Sequence, residues 1–99
     1  MSSLYRPEVE LLRKKLLAAR HSAGLTQRAV AEAWGMPQET VSAVERGLRR
    51  LDVVDLMDLC QILDLDAAVV VAEVRDEAAV SRRKRPISAY PAGKPRRRS

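Results

Sequence analysis

Residues 26–47, TQRAVAEAWGMPQETVSAVERG, carry start and stop signals for two helices set so close that the path between them has little freedom. Thr26 offers a hydroxyl that can cap the free N–H groups of the turn that follows. Ala29, Val30 and Ala33 form the expected inward face of the first helix, with Ala31 small enough for a close helix approach. Gly35 ends it, because glycine takes the left-handed backbone of a sharp turn without a Cβ penalty. Pro37 suits the first turn of a new helix, where its missing N–H costs nothing. The spacing predicts this second helix from Pro37 to Arg46, stopped by Gly47. Val41 and Val44 point inward, and Gln38, Glu39, Ser42 and Ala43 share the opposite face near the helix N-terminus.

Two helices, a glycine turn and short polar side chains at the start of the second helix are the parts of a DNA-reading helix-turn-helix. The segments Gly24-Leu25-Thr26-Gln27, Val30-Ala31, Gly35 and Gln38 through Gly47 resemble the Cro/CI/Xre family of phage and bacterial repressors. The family pattern GLTQ..LA...G....T.S..E.G is matched nearly throughout, and the similarity spans roughly residues 8 to 75. The chain departs from the pattern at Pro37, where the family often carries a Ser or Thr cap that also meets a phosphate. Proline has no N–H to donate, which bears on that backbone contact. Trp34, in place of a smaller apolar residue, is a second departure. The resemblance implies an all-α, five-helix, lambda-repressor-like domain and a bacterial or phage source.

Ninety-nine residues bound the chain to one domain, with a core small enough that dimerisation would help it. Its apolar residues are mostly Ala, Leu and Val, with no Phe and a single Trp, a composition suited to helices. The N-terminal MSSLYRPEVE lacks an apolar signal segment and no run approaches a membrane span, so a cytoplasmic protein is expected. Cys60 is the only cysteine and lies in an apolar stripe. That favours a buried core thiol over a redox sensor, and leaves neither a disulfide nor a cysteine-rich zinc site. No metal or cofactor is expected.

The net charge of +5 is unevenly spread. Residues 82–99 hold eight basic side chains and no acid, so residues 1–81 carry ten basic against thirteen acidic groups, a net of −3. Cations that meet DNA must therefore be placed rather than merely abundant.

Residues 1–6 read as a loose arm, residues 7–80 as the domain, and residues 81–99 as a basic tail. Pro7 opens the first helix, with Glu8 and Glu10 at its positive end. Val9, Leu12, Leu16 and Ala23 define its core face; Arg13, Lys14 and Lys15 lie on the other side. Arg20 falls on the core side, an odd place for a charge. It is either a solvated surface residue or, as the resemblance implies, the partner of Glu45 in an ion pair tying this helix to the end of the recognition helix. His21 has no neighbours to complete a metal or catalytic site and reads as a surface residue. Asp52 can cap a fourth helix over 53–63, with Val53, Leu56, Met57, Cys60 and Leu63 as its core stripe. Its aspartates, Asp52, Asp55 and Asp58, suit a helix N-terminus and lack the pocket of an acid–base pair. After a turn at 64–66, Ala67 to Val80 reads as a fifth helix, with VVVAEV as a strand the lesser alternative. Val69, Val70, Val71 and Val74 exceed what one small core needs. They either make a dimer contact or close the monomer core. The tail, rich in Arg and Pro with little to bury, is expected to be disordered alone. Arg82, Arg83, Lys84 and Arg85 fit phosphate contacts, a solubility role, or an acidic partner.

The function expected is sequence-specific binding of double-stranded DNA by a homodimer, without catalysis. Gln38 is the best base reader, since its amide can pair with adenine in a bidentate way. Glu39, Thr40, Ser42 and Ala43 are further base-facing residues. Arg28, Arg46, Arg49 and Arg50 form a cationic clamp on phosphates. Gln27, as the resemblance implies, bonds a phosphate and braces the base-reading side chain. The resemblance also implies a palindromic operator with half-sites about one helical turn apart, and repression as the commoner outcome. A rival reading is an antitoxin with a protein partner, which the tail fits poorly because it offers only Ile87 and Tyr90 as apolar anchors. An enzyme is disfavoured, for no nucleophile–base pair, ligand cluster or phosphate loop is evident.

Overall fold

The computed structural model describes residues 6–83. These form five helices and no strand: α1 (Pro7–Ser22), α2 (Gln27–Trp34), α3 (Gln38–Glu45), α4 (Val53–Ile62) and α5 (Ala67–Arg83). The architecture is the all-α, five-helix one expected. Residues VVVAEV are helical, and α5 runs through Arg82 and Arg83, past the boundary expected after residue 80. The expected arm at residues 1–5 and the tail from Lys84 and Arg85 onward lie outside the described residues.

Local chemistry sets the helix ends. Pro7 sits in the first turn of α1, where Glu8 and Glu10 face the helix's positive pole. Thr26 Oγ1 accepts from the Ala29 N–H at 3.0 Å and starts α2. Gly35, at φ 75°, ends it. Pro37 is one residue earlier in register than expected: at φ −63° and ψ 149° it precedes α3 as an extended cap, and its side chain caps nothing. Asp52 and Asp55 form a reciprocal capping box at the start of α4, each carboxylate accepting the other residue's backbone N–H. Asp66 Oδ1 accepts from Ala68 and Val69 to start α5.

The core draws one stripe from each helix: Leu16 of α1, Val30 and Ala31 of α2, Val41 of α3, Leu56, Leu59 and Cys60 of α4, and Val70 and Val74 of α5. Several expected positions differ. In α2, Ala31 is buried and Ala33 is exposed. In α1, Leu11 and Ala19 flank the core, whereas Ala23 is exposed beyond the helix end. In α4, Val53 and Met57 are 71% and 55% exposed, and Leu59 at 4% takes the inward place. Residues 56, 59, 60 and 63 form as good a helical stripe as the one expected. Apolar side chains surround this helix, so only the position of its neighbours decides between them. Of the four valines expected to make a dimer contact, two are taken up by the monomer's own core. Val70 and Val74 are 4% and 9% exposed and close the monomer core, while Val69 and Val71 remain half-exposed. Cys60 is 1% exposed, and burial pushes its thiol up from the ordinary cysteine range.

This inversion within α4 is open to test. Leu59→Ala is expected to destabilise the chain by about 2–5 kcal/mol, as for a large-to-small change in a packed core. Met57→Ala, measured at dilution where the chain is monomeric, is expected to stay within about 0.5 kcal/mol, as at most surface positions. Urea unfolding followed by helical circular dichroism measures both.

Candidate nucleic-acid interface

The turn between α2 and α3 is closed by its own backbone. Gly35 N–H donates to Glu32 O at 3.3 Å and Met36 N–H to Ala31 O at 3.0 Å. Val41 and Val44 anchor α3 in the interior, at 3% and 6% exposure. That anchorage turns the other side outward: Gln38 and Glu39 are exposed, and Thr40, Ser42 and Ala43 are half-buried.

A chain of hydrogen bonds runs from α1 to the tip of α3 and is centred on Glu45. Arg20 Nε donates to Glu45 Oε2 at 2.5 Å, and Arg20 Nη2 to Glu45 Oε1 at 3.0 Å. Arg20 Nη1 also donates to Leu25 O at 2.8 Å, which steadies the turn before α2. Gln27 Nε2 donates to the same Glu45 Oε1 at 2.8 Å, and Gln27 Oε1 accepts from Gln38 Nε2 at 3.3 Å. The carboxylate only accepts, so Gln27 must turn its amide nitrogen toward Glu45 and its oxygen toward Gln38. Gln38 in turn must present its nitrogen to Gln27. One N–H and the oxygen of Gln38 remain for a ligand. The side chains of Arg20 and Glu45 are 12% and 10% exposed. They border a small apolar cavity lined by Leu16, Trp34, Val41 and Leu59, where weak screening strengthens the pair.

The expected clamp arginines divide into two groups. Arg28, Arg46 and Arg50 are exposed and make no ion pair with a described acid. Arg49 lies 3.6 Å from Asp55 of the α4 capping box, so its charge is already partly answered. Among the tail candidates, Arg82 and Arg83 belong to the last turn of α5, and Lys84 and Arg85 lie outside the described residues.

Two basic residues placed on the outer side of α1 turn out to reach across the molecule. Lys15 Nζ bridges Glu77 at 2.9 Å and Glu73 at 3.4 Å, tying α1 to α5 and raising the lysine above its usual range. Arg13 Nη1 donates to the backbone carbonyl of Glu45 at 2.8 Å, and Arg13 Nη2 to Glu10 Oε1 at 2.7 Å. The Glu10–Arg13 spacing was visible in the sequence as a helical pair, but nothing in it marked the reach to α3.

A helix-turn-helix domain family matches residues 11–74, most of the chain. The chain belongs to the Xre-type helix-turn-helix family. An XRE-family like protein from Pseudomonas syringae pv. tomato str. DC3000 is similar at 36% identity and a TM-score of 0.68, over 71% of this chain and 85% of that one. The clp gene regulator ClgR from Corynebacterium glutamicum is similar at 27% identity and a TM-score of 0.65, over 78% of this chain and 82% of that one. No curated protein sequence matches. Fold and family are those of a DNA-binding transcription regulator. Among the described residues no helix is long and apolar enough to cross a membrane, and no cluster of side chains could hold a metal ion.

The Glu45 hub makes one strong prediction. Glu45→Ala leaves Arg20 charged and unpaired in a nearly closed site and is expected to cost about 3–5 kcal/mol. The double change Arg20→Met with Glu45→Leu removes both charges and is expected to cost less than the single one. Denaturant unfolding of the two variants checks the order.

Proposed function

We propose that the chain is a sequence-specific regulator that reads duplex DNA with α3 in the major groove, binding as a homodimer to an inverted repeat and acting most simply as a repressor. The observation that carries this reading is the hydrogen-bond chain from Arg20 through Glu45 and Gln27 to Gln38. It orients the Gln38 amide before any ligand arrives, leaving one donor and one acceptor, the pair that the N7 and N6 edge of adenine requires. Glu39, Ser42 and Ala43 follow along the same outward face, with Thr40 at its edge. They suit contacts to a cytosine amino group, a thymine methyl or a phosphate. Arg28, Arg46 and Arg50 flank the helix as exposed cations for phosphates, and Arg49 can join them by leaving Asp55. Gln27, already bonded twice, acts here chiefly as the brace of Gln38. The relative named as a clp gene regulator supports a role in controlling genes.

The second copy docks on the apolar face left open between α4 and α5. Val53, Leu56, Met57, Ala68, Val71 and Ala72 line it, with Val53, Met57 and Val71 at least half exposed. This replaces the four-valine contact with a surface shared by two helices. Self-association of such a face generates a two-fold axis suited to a palindrome.

Selection from a random duplex library tests the reading directly. The intact chain is expected to enrich an inverted repeat containing adenine at the position facing Gln38; enrichment of no sequence would sink it. Gln38→Ala is expected to lose about 1–3 kcal/mol on the selected duplex and to relax preference at that base. Arg50→Ala is expected to weaken all duplexes alike and to lower the salt slope by about one. For the dimer, Met57→Glu is expected to shift sedimentation toward monomer and to reduce binding to the full repeat far more than to a half-site.

A further inference from the structure

The last turn of α3 leaves one carbonyl that its own backbone does not answer. Arg46 N–H donates to Ser42 O, Leu48 N–H to Ala43 O at 2.8 Å, and Gly47 N–H to Val44 O at 3.1 Å. These bonds, with Gly47 at φ 77°, are the usual closing pattern of a helix that ends on glycine. The carbonyl of Glu45 is next in line, and its acceptor capacity is met by Arg13, thirty-two residues away on α1. The Arg13 stem lies beside Gly47, where a Cβ would sit in van der Waals contact with Arg13 Cδ at 3.5 Å. Glu10 fixes the other end of the guanidinium at 2.7 Å, and its carboxyl is held below the usual carboxylate range by that bond.

We propose that Arg13, oriented by Glu10, is a positioning residue for DNA reading: it pins the C-terminal pole of α3 and the exit of the Arg46–Arg50 segment without touching DNA. The inference rests on the DNA-reading function proposed above. Glu45 is then held at two separate points, its side chain by Arg20 and Gln27 and its carbonyl by Arg13. Removing the second hold lets α3 pivot about the first. Gln38 at one end and the cationic segment at the other would then shift in opposite directions relative to a duplex. The contact gives little net stability, because Arg13 Nε is enclosed against this turn with no acceptor, a loss that offsets the bonds made by the other two nitrogens. A positioning role and a stabilising role therefore separate in measurement.

The test uses the intact chain with Arg13→Met, which keeps the apolar stem, and Glu10→Gln, which keeps Arg13 charged but loosens its hold. Each is titrated against the inverted-repeat duplex recovered by selection and against a scrambled duplex of the same composition, across a salt series. The expected result for Arg13→Met is a loss of about tenfold on the selected duplex, about 1.4 kcal/mol. Affinity for the scrambled duplex, the salt slope and the melting temperature should stay nearly unchanged. Glu10→Gln should reduce the ratio of the two affinities in the same direction, less steeply, and it carries the test alone if Arg13→Met does not fold. An unchanged ratio overturns the proposal. So does a salt slope lowered by about one in Arg13→Met, since that marks a direct phosphate contact. If the unaltered chain fails to distinguish the two duplexes, the DNA-reading function falls and takes this role with it. Discrimination retained equally by the unaltered chain and both variants removes the role of Arg13 alone.

Discussion

The Glu45 carboxylate accepts three N–H donors, two from Arg20 of α1 and one from Gln27 of α2, while standing at the end of α3. An ionised carboxylate so nearly enclosed is tolerable only if it is paired and fully hydrogen-bonded. Each donor is therefore fixed by the demand of the same group. The amide of Gln27 has one orientation, Gln38 inherits the next, and the angle between α2 and α3 is set with them. Apolar packing of Val30, Ala31 and Val41 brings the two helices together but does not choose an amide orientation. The polar hub supplies that specificity, and the capped helix ends keep its members in register.

Around the hub the molecule divides its work by helix. α2 and α3 carry the surface proposed to read DNA, and α1 holds the end of α3 through both Arg20 and Arg13. α4 and α5 supply most of the core and an apolar outer face. Lys15, set between Glu73 and Glu77, links α1 to α5, so the helix that holds Glu45 is also fastened to the helix that packs beside α4. Exposed ion pairs of this kind add little stability singly, and their value lies in fixing relative placement.

What was legible in the sequence was the punctuation. Thr26, Gly35, Gly47 and Asp52 each have one dominant local use, and the helix starts and stops they imply lie within a residue or so of those formed. Arg20 stood out because a charge on a core face needs a partner, and the family resemblance named Glu45. Less was legible where several answers share one period. α4 carries apolar residues on every side, so Met57 and Leu59 exchange places once α2 and α5 are set. The valines at 69–71 straddle the helix, and only packing against α4 turns Val70 in and leaves Val69 and Val71 out. Arg13 and Lys15 were missed for a different reason. Spacing gives the face of a helix from which a side chain departs, but a long flexible stem can cross to a neighbour whose position spacing does not give.

Glu39, Ser42 and Ala43 make no side-chain hydrogen bond with any described residue, whereas Gln38, two turns from Glu45, is tethered. The two kinds of position face different tolerances to change. On the proposed reading, an exchange at the untethered sites would alter what the helix can recognise without disturbing what holds it. Related chains could thus drift toward new binding sites through these three residues while the scaffold beneath stays the same. A change at Gln38 would also break its bond to Gln27. On the proposed reading, recognition can diversify in small steps at one edge of a frame whose members hold one another.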